Sequence, residues 1–198
     1  IGMVSSEAVI RVIAERLRAH GRRAVVDPVM VATSGDRLIA EDALGALRED
    51  LLPLADVLTP NMPEAALLLG RTAAQNEDNM QAQAAALLAL GPRAVLLKGG
   101  HGETQDSVDI LLAADGKTRI ARPRIETRND HGTGCTLAAA IAAGLARGLP
   151  LARAAIEARD YLQSALLAGR DLAVGSGRGP VHHFHRWWPL TSGSETSA

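Results

Sequence analysis

The chain has 198 residues, 47% of them hydrophobic, and a formal net charge of −1, enough to bury the core of one domain or most of a larger one. Scattered Lys and Arg at near-zero net charge exclude nucleic acid or an anionic membrane as the main partner, and an aromatic content of 2% leaves no base-stacking platform. A single cysteine excludes an internal disulfide and a multi-cysteine zinc site and fits a reducing cytoplasm, while no apolar run reaches the length of a membrane span and no signal peptide is visible.

The opening Ile1-Gly2-Met3-Val4 reads as the end of a buried strand, so a preceding segment is expected. Ser5 or Ser6 can cap a helix over 7–19, with Val9, Ile10, Ile13 and Leu17 at helical spacing and Gly21 closing it. Residues 23–27 form a short β-branched strand stopped by Pro28. Its last residue, Asp27, falls at a carboxyl end, where open parallel α/β sheets collect ligands; the plainer alternative is a solvated loop carboxylate. A turn at Thr33-Ser34-Gly35-Asp36, a helix over 41–51 and a brief strand over 56–59 follow.

Thr59-Pro60-Asn61-Met62-Pro63-Glu64 introduces a helix over 64–69. A carboxylate in a first helical turn is favourable on dipole grounds alone. Alternatively, Glu64 and Asp27, each following a short strand, face one cleft and bind magnesium through water. A helix over 79–90 ends at Gly91, and a buried strand over 94–98 ends in Lys98-Gly99-Gly100-His101. A lysine before two glycines suits a phosphate, or is a strand-end charge. Strands over 108–113 and 118–122 meet at Asp115-Gly116, predicting an antiparallel hairpin at the sheet edge.

Residues 123–127 lead into Asn129-Asp130-His131-Gly132-Thr133-Gly134-Cys135-Thr136 and an alanine-rich helix over 137–147. Two glycines two residues apart let the backbone turn sharply, and a helix starting there adds unpaired N–H groups and a positive dipole end, which together hold an anion. Cys135 would sit at that helix start, where a thiol ionises more readily and can accept a proton. The simpler alternative is a glycine turn with Thr133 or Thr136 as the N-cap. Gly148-Leu149-Pro150 breaks the chain before a last helix over 151–167. A glycine-rich stretch, the run Val181 to Trp188 and a polar tail over 190–198, expected to be disordered, complete it. His182 and His185 lack carboxylate or cysteine neighbours and read as packing or surface residues. Strands alternating with helices predict an α/β fold, a mostly parallel sheet covered on both faces, in one domain over 1–189.

Taken in order, Asp27-Pro28-Val29-Met30-Val31-Ala32, Thr59-Pro60-Asn61 with Glu64, Lys98-Gly99-Gly100-His101, His131-Gly132-Thr133-Gly134-Cys135-Thr136 and Gly179-Pro180-Val181-His182-His183-Phe184 resemble hydroxymethylpyrimidine/phosphomethylpyrimidine kinase of thiamine biosynthesis. The resemblance implies a ribokinase-like three-layer αβα sandwich. It also implies phosphorylation by ATP of the pyrimidine's hydroxymethyl group and then of its monophosphate. By position, the backbone of Gly132, Thr133, Gly134 and Cys135 would form the anion hole, with Cys135 as proton acceptor. Asp27 and Glu64 would organise magnesium, directly or through water, with Asn61 beside them; Lys98 would touch nucleotide phosphate, Thr59 and Asn61 belonging to the same cofactor site; and Met3 and Val29 would line the pyrimidine pocket.

The resemblance further implies a cytoplasmic homodimer. It departs at Asp130, where threonine is expected and a carboxylate beside an anion site would weaken phosphate binding. The family's pyrimidine-reading segment would lie upstream of Ile1, on the order of 60–80 residues, so a chain truly beginning at Ile1 is expected to have little kinase activity. A pyridoxal kinase of the same superfamily and a non-catalytic nucleotide-binding module remain open. A Cys135–His131 hydrolase lacks a third group to orient the histidine.

Overall fold

Three short aliphatic runs make one side of a five-stranded sheet ordered β1-β2-β3-β4-β5 in the computed structural model, which describes residues 1–30, 39–100 and 105–188. The expected turn at 33–36, His101 and the tail over 190–198 lie outside the described residues. β1 (Ala24–Val26), β2 (Ala55–Leu58) and β3 (Ala94–Leu97) run parallel. They are aliphatic throughout except for Asp56, because both faces of a parallel sheet are covered. β4 (Asp106–Ala113) and β5 (Gly116–Pro123) complete the sheet as the expected antiparallel hairpin at its edge. The tip is Ala114-Asp115, one residue earlier than the Asp-Gly signal suggests. Only Gly116 takes the left-handed region, at φ 135°, while Asp115 keeps a negative φ.

The two-residue periodicity of a strand sends alternate side chains to two separate cores. Val26, Leu58, Val95 and Leu97 face α1 (Glu7–Ala19), α2 (Glu41–Ala46), α3 (Met62–Leu69) and α4 (Glu77–Leu88), packing with Ile10, Leu68 and Leu87. Val25, Val57 and Leu96 face α5 (Thr133–Ala146) and α6 (Leu151–Gly169), packing with Leu137, Ile141 and Leu162. The result is the three-layer αβα sandwich.

Three helix starts are set by side-chain caps rather than by the first apolar residue. Ser6 caps α1, Asn61 caps α3, which begins two residues ahead of its expected start, and Asn76 caps α4. α2 passes through a π turn over Leu47–Leu51 and a 3-10 turn over Leu52–Leu54 into β2. α5 and α6 approach through small residues, and a Cβ on Gly144 would stand 2.9 Å from the Ala154 methyl. Among the described residues no helix is long and apolar enough to cross a membrane.

Candidate active site

Each parallel strand is followed at once by a polar residue, Asp27, Thr59 or Lys98, and the three converge. The Thr59 amide donates to the Val26 carbonyl at 2.9 Å and the Lys98 amide to the Pro60 carbonyl at 2.8 Å, continuing the ladder just past the strands. This brings the Thr59 hydroxyl to Asp27 Oδ1 at 2.9 Å and the Lys98 ammonium to the same oxygen at 2.6 Å. The Lys98 ammonium also lies 4.0 Å from the Glu64 carboxylate. Asp27, Thr59 and Glu64 are all buried.

Glu64 stands in the first turn of α3, the plainer of its two readings. It closes a reciprocal cap on α3, its Oε2 accepting the Asn61 amide at 2.7 Å while Asn61 Oδ1 accepts the Glu64 amide at 2.8 Å. Burial pushes its pKa up to about 7, against the pull of Lys98 and the Asn61 amide and with a smaller push from Asp27.

The glycine turn closes over this cluster. Gly132 is the N-cap of α5 at φ 82°, a backbone only glycine holds without strain. Neither threonine caps the helix; the Thr136 hydroxyl instead donates back to the Gly132 carbonyl at 2.8 Å. Thr133, Gly134 and Cys135 form the first turn, whose amides have no intrahelical acceptor. A Cβ on Gly134 would stand 3.1 Å from Asp27 Oδ2 and 3.3 Å from the Lys98 ammonium, so glycine here lets the helix start rest on the carboxylate–lysine pair. Cys135 is exposed on the same turn.

Three contacts not foreseen from the sequence hold the turn. Asn129 Nδ2 lies 2.7 Å, 3.2 Å and 2.7 Å from the carbonyls of Gly169, Arg170 and Leu172, tying the turn to the end of α6. Residues 178–180 run beside it: the His131 amide donates to the Gly179 carbonyl at 3.0 Å and the Gly179 amide to the Arg128 carbonyl at 3.1 Å. Arg178 forks onto both oxygens of Asp130. The extra carboxylate that Asp130 brings beside the turn is thus paired with a guanidinium. The partners are about 40–50 residues away in sequence, beyond the reach of local pattern; the clue available was the asparagine before a glycine turn.

Of the remaining expected residues, Met3 is 63% exposed ahead of α1, and Val29 is half-buried beside a small cavity lined by Gly2, Val4, Val26 and Met30. His182 is buried with Nε2 2.7 Å from the Trp188 carbonyl, the packing role expected. Among the described residues no group of three or more His, Cys, Asp or Glu side chains is placed to hold a metal.

A three-layer αβα sandwich with a glycine-rich helix start laid over a carboxylate–lysine cluster at the strand ends defines the ribokinase-like phosphotransferases. Residues 1–182 match the family model described as phosphomethylpyrimidine kinase. The chain is 58% identical over 188 residues to a hydroxymethylpyrimidine/phosphomethylpyrimidine kinase of Rhizobium meliloti, covering 95% of this chain and 71% of that one. Among solved structures it resembles Bacillus subtilis pyridoxal kinase in an ADP complex (TM-score 0.85, 31% identity, 92% of this chain and 68% of that one). It also resembles phosphomethylpyrimidine kinase from Clostridium difficile 630 (TM-score 0.72, 37% identity, 84% of this chain and 67% of that one). The chain belongs to the phosphomethylpyrimidine kinase family.

Proposed function

We propose that the chain transfers the γ-phosphoryl group of ATP to hydroxymethylpyrimidine and then to its monophosphate, in thiamine biosynthesis. The observation that carries this is the contact of the Gly134 turn with the Asp27–Lys98 pair, which places free amide donors, a cation and a buried carboxylate within one small volume. Phosphoryl transfer needs little covalent help from the protein; it needs the groups held in line and the charge on the phosphoryl oxygens neutralised.

The amides of Gly134 and Cys135 and the dipole of α5 take the phosphoryl oxygens, and the Lys98 ammonium, kept oriented by Asp27, takes nucleotide phosphate. The substrate hydroxyl oxygen forms the new P–O bond as ADP leaves, and its proton passes to the Cys135 sulfur. Thr59 fixes the Asp27 carboxylate and Asn61 fixes Glu64, so both are positioning residues on the nucleotide side. Asp27 and Glu64 offer only hard oxygen donors, two in number, beside Lys98. That set fits a magnesium ion that keeps several waters and is completed by substrate phosphates. Magnesium bound there would neutralise phosphate charge. Val29, with Met3 near it in the preceding segment, would face the pyrimidine. We place the protein in the cytoplasm as a homodimer, on the family resemblance.

A second reading, pyridoxal kinase, is favoured by the TM-score of 0.85 to the Bacillus subtilis enzyme. The deciding experiment is ATP-dependent phosphorylation of hydroxymethylpyrimidine and pyridoxal by the same purified chain. Faster turnover of the pyrimidine is expected; turnover of pyridoxal alone would replace the reading. Binding of ATP with turnover of neither would leave a nucleotide-binding module.

A further inference from the structure

Away from the cleft lies a buried charge pair that takes no part in the reaction as described. Asp109 of β4 and Arg159 of α6 are both buried, with Arg159 Nε 3.0 Å from Asp109 Oδ2. The other carboxylate oxygen, Oδ1, accepts the Gly99 amide at 2.9 Å. Burying an ion pair costs much of what its attraction returns, and apolar replacement of such pairs is often neutral or stabilising. Stability alone is therefore a poor account of this one. What the pair does is aim a carboxylate oxygen at a single backbone amide, that of the residue following Lys98.

Gly99 leaves no room for a side chain, since a Cβ there would lie 2.0 Å from the Val108 carbonyl oxygen. Gly100 then turns away at φ 92°. Lys98 is thus pinned on both sides: its own amide donates to Pro60 at 2.8 Å, and the next amide donates to Asp109. From that anchored backbone the ammonium reaches Asp27 at 2.6 Å, directly beneath Gly134.

We propose that Asp109, clamped by Arg159, is a positioning residue for Lys98: it fixes the strand-end turn so that the ammonium meets nucleotide phosphate at the anion loop. This rests on Lys98 contacting ATP phosphate as proposed above. Two variants separate placement from stability. D109L/R159M removes the charges and the acceptor together, and keeps the site filled by apolar groups. D109N keeps an oxygen for the Gly99 amide but leaves Arg159 without a counter-charge.

D109L/R159M is expected to melt near the wild-type temperature while the Gly99 amide exchanges faster in NMR. Its kcat/KM for MgATP is expected to drop by as much as about 10²-fold, the size of effect that a 1 Å misplacement produces, and its KM for the pyrimidine to hold. D109N is expected to show the reverse, a lower melting temperature with MgATP kinetics within a few-fold of wild type when assayed in the cold. Should the double variant not fold, D109A, which like D109N strips Arg159 of its counter-charge but also withdraws the acceptor from the Gly99 amide, gives the kinetic readout when assayed in the cold beside D109N. Wild-type MgATP kinetics in D109L/R159M or D109A, or an equal loss in D109N, overturns the proposal and leaves the kinase assignment standing. A wild-type protein that phosphorylates neither pyrimidine nor pyridoxal overturns that assignment instead. MgATP affinity by calorimetry then decides the positioning role, an unchanged value in the variants sinking it.

Discussion

Cys135 lies in the first turn of α5, and in the proposed reaction its side chain, not its amide, would accept the substrate proton. C135S keeps the backbone donors and exchanges the thiol for a far weaker acid. We expect kcat to fall by roughly 10²–10³-fold, within the range for losing a positioned proton acceptor, with the calorimetric affinity for ATP unchanged. Equal losses in both would place Cys135 in binding instead. Glu64 makes a prediction about pH. Its carboxyl titrates near 7 in the folded protein against 4.5 ordinarily, so the folded state holds the proton more tightly. The stability this contributes is complete below about pH 4.5 and is lost as pH rises through about 7, a change on the order of 3 kcal/mol. E64Q keeps an acceptor for the Asn61 amide and cannot ionise. Thermal melts in EDTA should therefore show E64Q gaining on wild type between pH 5 and pH 8; parallel curves would refute the burial effect. Asp27 and Lys98 were legible in the sequence because each follows a short apolar run, and Glu64 because it stands in the first turn of the helix after one. Asp109 and Arg159 were not, because nothing in a local pattern says which charge inside a strand and which inside a helix will meet.

At the scale of elements, the glycine-rich helix start, the parallel strands and the hairpin could be read from periodicity and turn residues, and the structure moves their limits by a few residues. For α3 and α4 the cause is capping: Asn61 and Asn76 fix where backbone amides find acceptors, which apolar spacing does not record. The coupling between α5, α6 and the strip over 178–182 was hidden, since it depends on one asparagine reaching three carbonyls. Gly179 is the tightest point of that junction: a Cβ there would fall 1.9 Å from Asn129 Oδ1. G179A must push Asn129 off the carbonyls of α6 or the strip off the turn. We expect a loss of about 1–3 kcal/mol, the cost of leaving buried polar groups unpaired, together with a higher KM for ATP. A denaturant melt coinciding with that of wild type would show that the junction yields freely.

For the molecule as a whole, the two cores differ in what they carry. The core under α1 to α4 supports the ends of β1, β2 and β3; the core under α5 and α6 includes Val181, from the strip that braces the anion loop. A chain cut after Asp171 keeps the first core intact but loses Val181, the His182 amide bond to Ala165 at 3.0 Å and the strip beside His131. We expect fast amide exchange at His131 and loss of MgATP binding, with protection retained in β1 and β2; retained MgATP binding would mean that the loop is braced from elsewhere. The same strip sets an order of events during synthesis. The loop at His131 leaves the ribosome 48 residues before Gly179, the residue it pairs with. At about 5–20 residues per second, the loop waits roughly 2–10 s for its brace. A nascent chain therefore carries its sheet while the glycine loop is still unbraced, and the loop takes its final form only when the strip over 178–182 arrives.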